Sequence, residues 1–181
     1  IDGVEKFIKK IKSFDINIHS AGGETEDVGD LIRTLGFNVT LSTRIKKSEV
    51  IDNVNISIGD CIIGFPSFGQ SSYEMNYNSV IGSNGITSAR HDLLNKSYSN
   101  KFHDAYDPSI SKKLVFCGKH SLLDKIEKPY KNIAELLLSP TRTYAPILKE
   151  IFKKYKKQIH GLIHCTGGGQ TKILNFINNL H

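Results

Sequence analysis

The residues best suited to chemistry stand at His164-Cys165-Thr166-Gly167-Gly168-Gly169, between an apolar run at 159–163 and an amphipathic pattern carried by Ile173, Leu174, Ile177 and Leu180. Three successive glycines let a backbone come close to a ligand. Amides at the start of a helix point outward with partial positive charge, which suits a phosphate. His164 closes the apolar run, where its imidazole reaches the same ligand. The same glycines also suit a plain strand-to-helix turn, and both readings stand on the residues alone. A second group is Gly22-Gly23-Glu24-Thr25-Glu26-Asp27-Val28-Gly29-Asp30. Its four carboxylates repel one another unless a cation or basic group compensates. Magnesium shared with substrate phosphates takes such oxygen ligands; a solvated acidic turn is the bland alternative. A third group, Ser67-Phe68-Gly69-Gln70 followed by Gly82-Ser83-Asn84-Gly85 ahead of a helix pattern, fits anion or ribose contacts, or ordinary turn and N-cap chemistry. His160 and His164 share one face of a strand, but no third metal ligand accompanies them. No GxSxG or P-loop occurs.

These groups need elements to hold them. Val4, Phe7, Ile8 and Ile11 recur at helical spacing, so residues 2–14 read as an amphipathic helix that Asp2 caps. Short helices are expected at 86–94 and 133–138, and a firm amphipathic one on Ile147, Leu148, Ile151, Phe152 and Tyr155. Strands are expected at 16–18, on Leu35, Phe37, Val39 and Leu41, at 61–65 and at 159–163. Residues 66–85 read as a long loop, and 96–111 as polar and irregular. Mixed elements without strict alternation give an α+β class.

Composition narrows the setting. The chain has 181 residues, 39% hydrophobic and 23% charged, enough to bury a core. The formal net charge of +6 is read as lysines on solvated helix faces, since Lys149, Lys153, Lys154, Lys156 and Lys157 lack interleaved aromatics suited to stacking bases. No nucleic-acid partner is therefore expected, and no membrane partner, because no apolar run approaches the ~18 residues a span requires. Cys61, Cys117 and Cys165 are scattered and odd in number, which argues against a disulfide framework and for the cytoplasm. The opening on Ile1 and the end at His181 read as an internal piece of a longer protein.

Taken in order, the segments resemble aminoimidazole ribonucleotide synthetase, the phosphoribosylformylglycinamidine cyclo-ligase family. GGETEDVGD at 22–30 is similar to that family's GGET-acidic-G loop, and KKSEVID at 46–52 to its KSEIIDG segment. GDCIIGFPSFG at 59–69 resembles its GD-apolar-SSG segment, and GSNGITSAR at 82–90 its HSNGYSL-R segment. LLSPTRTYAPIL at 137–148 resembles LL-PTRIYV, and HGLIHCTGGG at 160–169 a strand and H-x-TGGG loop. Each motif is short; their common order carries the resemblance.

The resemblance implies a chain of two α/β domains, with residues 1–53 ending an amino-terminal dimerisation and ATP domain and 54–181 beginning a carboxy-terminal one. It implies ATP and magnesium, a phosphorylated small-molecule substrate, a homodimer at full length, and a fragment inactive alone. Glu24 and Glu26 would lie by the nucleotide. Ser83, Asn84, Gly85, Thr166, Gly167, Gly168 and Gly169 would bind substrate, His164 would act on it, and acidic and glycine loops would share one cleft. The identity of any metal ligand is left open. Departures are Gly82 where the family has histidine, the extra residues 70–81, Asp27-Val28 in place of Met-Pro, and a long 96–131. They leave room for another ATP-using enzyme of the superfamily, making selenophosphate or phosphorylating thiamine monophosphate or maturing hydrogenase, or for a non-catalytic domain of that fold.

Overall fold

The computed structural model describes residues 2–32, 36–79 and 81–177, with the side chains of Ser83 and Asn84 outside the description. The chain divides into two compact units. One comprises Ile1–Val28, Val39–Cys61 and Thr143–His181; the other comprises Gly29–Asn38 and Ile62–Arg142.

In the first unit, α1 (Asp2–Lys12) follows the expected stripe and buries Ile11. Asp2 belongs to the first helical turn together with Glu5, and Lys9, Lys10 and Lys12 occupy the last, so both ends match the helix dipole. Asp15 follows with a left-handed backbone, φ 56°. Lys149, from α5 (Ala145–Tyr155), caps that end by donating to the carbonyls of Phe14 (3.0 Å) and Asp15 (2.6 Å) and to the Asp15 carboxylate. Pro146 sits in the first turn of α5, where its missing N–H costs nothing.

The second unit holds the larger core. Leu94, Val115, Phe116, Ile133 and Leu137 are buried together, with Ile81, Leu93, Tyr98, Tyr106 and Leu122 packed around them. It contains α2 (Gly82–Leu93), α3 (Ser97–Lys101) and α4 (Ile133–Leu137). Asn132 caps α4 by accepting the N–H of Glu135 at 3.0 Å. The expected 66–85 loop is partly ordered: β1 (Phe68–Gly69) pairs antiparallel with β2 (Asn78–Ser79). Glu74, at the far end of this hairpin, forms a two-pronged ion pair with Arg142, 2.8 Å at each prong. Arg142 also donates to the Pro66 carbonyl at 2.7 Å, and both charged side chains are over nine-tenths buried. Tyr130 and Ser139 secure the other end through the carbonyl of Tyr77.

The α+β class holds as mixed helix with one small sheet, but several expected strands do not form ladders. Residues 16–18, 37–41, 61–65 and 159–163 carry no strand pairing; Leu35 lies outside the described residues. Phe14, Ile16 and Ile18 do alternate in burial, so the pattern is real. A strand, however, exists only by bonding to a neighbour, and no neighbour is paired here. The 61–65 run, expected to be buried, is exposed. The 96–111 stretch contains α3 and a 3-10 turn at His103–Ala105. The last helix is a 3-10 helix over Gly169–Asn175, and Leu180 lies outside the described residues.

Candidate functional site

The glycine loop begins where the extended 159–163 segment ends. Thr166 donates its N–H to the His164 carbonyl and Gly169 donates to Thr166, both at 3.0 Å, closing a tight turn. Gly168 and Gly169 have φ of 84° and 55°, a left-handed backbone that strains any residue with a Cβ. At these two positions glycine is required by conformation. Gly167 has negative φ and open space around it, so nothing in the fold demands glycine there.

The Gly169 amide is spent inside the turn. Those of Gly167 and Gly168 meet no acceptor among the described residues. Lys172 folds back over the loop, its ammonium 2.6 Å from Thr166 Oγ1. Because the lysine only donates, the threonine hydroxyl keeps its own hydrogen for another acceptor. The result is two free amides, a hydroxyl and a cation on one exposed turn, a donor set fitted to an anion. The 3-10 geometry after the loop aligns its peptide dipoles less well than an α-helix would, so the charge comes chiefly from Lys172. His164 is exposed, and its ring has no hydrogen-bond partner among the described residues.

The other expected site residues stand on other segments of the chain. Glu24 and Glu26 are exposed on irregular backbone of the first unit and make no hydrogen bond or ion pair among the described residues. Among the described residues, no three His, Cys, Asp or Glu side chains converge on one point. Ser83, Asn84 and Gly85 form the first turn of α2 in the second unit. The helix starts directly after Ile81, without a side-chain cap. Gly82 adopts φ 59°, a left-handed backbone that glycine takes without strain.

Three features escaped sequence reasoning because each joins residues distant in the chain. One is the Glu74–Arg142 pair. The second is an open cleft of about 440 Å³ lined by Lys96, Lys112, Lys113, Phe116, Cys117 and Gly118. The third is the contact of His160 with Asp60, at 2.9 Å to each carboxylate oxygen. Among the described residues, no helix is long and apolar enough to cross a membrane.

No family model matches the chain. It is 29% identical over 173 residues to phosphoribosylformylglycinamidine cyclo-ligase of Methanocaldococcus jannaschii, which covers 92% of this chain and 40% of that protein. The enzymes of the same name from Methanosarcina mazei (30% over 154 residues) and Methanococcus vannielii (29% over 157) match 84% and 87% of this chain. The chain spans 35–40% of the length of these curated relatives. The resemblance carried by the ordered motifs is therefore borne out as a divergent likeness, over most of the chain, to phosphoribosylformylglycinamidine cyclo-ligases.

Proposed function

We propose that this chain forms part of an ATP-dependent ligase of purine biosynthesis that cyclises formylglycinamidine ribonucleotide to aminoimidazole ribonucleotide, releasing ADP and phosphate. In this reading ATP phosphorylates the formyl amide oxygen, and the amidine-side nitrogen then closes the ring. Residues 1–53 end an amino-terminal domain and 54–181 begin a carboxy-terminal one, within a cytoplasmic homodimer. Glu24 and Glu26 lie by the nucleotide, and Ser83, Asn84 and Gly85 contact the substrate. ATP in such enzymes is used with magnesium, which takes one or two carboxylates together with the phosphates of its substrate, and Glu24 or Glu26 would supply them. The observation that carries the reading is the glycine loop: within a chain similar to cyclo-ligases over most of its length, the Gly167 and Gly168 amides, Thr166 and Lys172 form a donor set suited to the substrate phosphate. His164, exposed at the entrance of that loop, faces the reacting amide.

The test is steady-state kinetics of the full-length protein. Lys172→Gln keeps the backbone and removes the cation. A hydrogen bond to a charged group contributes about 1.5–3 kcal/mol, so KM for the ribonucleotide should rise roughly 10- to 100-fold with little change in kcat. Gly168→Val, which strains a left-handed position, should raise KM further, with circular dichroism checking the fold. Unchanged KM in a folded Lys172→Gln protein would move the phosphate away from this loop.

A further inference from the structure

His160 and Asp60 belong to segments a hundred positions apart, and three contacts fix how those segments meet. Asn53 Oδ1 accepts the N–H of Leu162 at 3.0 Å. The backbone at Gly161 presses against Ile56 so closely that a Cβ there would come within 2.5 Å of Ile56 Cδ1. His160 Nδ1 then lies 2.9 Å from both oxygens of Asp60. The carboxylate is itself anchored, since Oδ2 accepts the Ser57 N–H at 2.9 Å. That bond, followed by the one to His160, holds its pKa below the ordinary carboxylate value.

An ionised carboxylate only accepts hydrogen bonds. Nδ1 of His160 must therefore carry the proton, and the neutral ring presents its lone pair at Nε2. The His160 side chain is 42% exposed, and Nε2 has no partner among the described residues. His164, four positions on, has no such orienting group among the described residues.

We propose that His160, oriented by Asp60, is the proton acceptor for ring closure at the site that begins on the same segment. The inference rests on the cyclisation proposed above. In that step the amidine-side nitrogen bonds to the formyl carbon and sheds its proton. The carbon–oxygen bond to the phosphorylated oxygen breaks, and phosphate leaves with the electron pair. Nε2 takes the proton, the imidazolium is stabilised beside Asp60, and the proton then passes to water. Asp60 stays ionised throughout and is a positioning residue.

Two measurements on the full-length protein test this. In protein labelled with ¹⁵N-histidine, the His160 resonances, assigned by their loss in His160→Gln, should show a protonated Nδ1 and a bare Nε2 in the neutral ring. Asp60→Asn should abolish that preference. The opposite tautomer in the unaltered protein overturns the dyad. In kinetics, His160→Gln should lower kcat about 10²- to 10⁴-fold and leave KM for both substrates within about twofold. Asp60→Asn should lower kcat with the same KM pattern, and Asp60→Glu should restore part of it, so the test survives if one variant fails to fold. A raised KM with unchanged kcat in the folded variants overturns the catalytic role. Absence of cyclisation by the unaltered protein would instead defeat the proposed function, and this step with it, while the tautomer measurement still decides the pairing.

Discussion

Single residues in this chain reveal their roles mostly through partners that their local sequence does not announce. His91 is an example: nothing around it in α2 marks it out, yet it is buried to 7% exposure, packed with its ring tilted against that of Phe116, and accepts the Phe116 N–H at Nδ1 (3.2 Å). Its Nε2 has no partner among the described residues. Burial, reinforced by the neighbouring Arg90 and opposed by Asp92, lowers its pKa below 6.5. The folded state thus holds this imidazole neutral, while the unfolded chain takes up a proton as pH falls through 6.5. Stability from this group is fully present above that value and declines below it, until the pH passes the folded pKa. Chemical denaturation between pH 7.5 and 5 should show a falling stability, with a slope no steeper than about 1.4 kcal/mol per pH unit, the limit for one proton. His91→Asn, whose side-chain oxygen can still accept the Phe116 N–H, should flatten that slope. The carboxylate of Glu74, held below its ordinary value by Arg142, contributes its own loss only on further acidification, near 4.5 and lower. An equal slope in the His91→Asn protein would assign the pH dependence to another group.

Among elements, legibility follows the range of the interactions. Helices α1, α4 and α5 were readable because periodicity and capping act within a few residues. The expected strands failed for the converse reason: alternation identifies a face, whereas pairing needs a second segment. The two-residue strands β1 and β2 are too short to show alternation, and their hairpin is clamped by Arg142, 68 positions from Glu74. The donor set of the glycine loop was half legible. Its glycines stand in sequence, but which amides remain free, and that Lys172 turns back to Thr166, are properties of the turn. Gly118 likewise looks ordinary in sequence. It bridges Asn95 in a parallel contact, and a Cβ on it would lie 2.2 Å from the Leu93 carbonyl oxygen and 2.3 Å from that of Asp92. Both obstacles are backbone and cannot swing aside. Gly118→Ala should therefore destabilise the unit by about 3 kcal/mol in urea denaturation, the upper end for overpacking. Gly3→Ala, with nothing within 4 Å, should be neutral or slightly stabilising. A folded, fully stable Gly118→Ala protein would show that the Leu94–Asn95 and 118–120 segments part freely.

The molecule as a whole exposes much apolar surface. Leu41, Ile62 and Ile63 are each more than 70% accessible, in stretches with strand-like composition and no ladder. Exposed apolar side chains on unpaired extended backbone bind hydrophobic dyes and invite association. The 181-residue chain should therefore enhance the fluorescence of anilinonaphthalene sulfonate and self-associate in sedimentation at micromolar concentration. A dye-silent monomer would mean that these runs find cover within the chain. Ionic strength separates the molecule's charges in a different way. At 1 M salt the Debye length falls to about 3 Å, and exposed pairs such as Glu150–Lys153 and Glu135–Lys131 lose their attraction. Counterions cannot enter between Glu74 and Arg142, whose side chains are 9% and 7% exposed. The clasp on the hairpin is thus indifferent to the brine around it, and the second unit keeps that fastening from dilute buffer to molar salt.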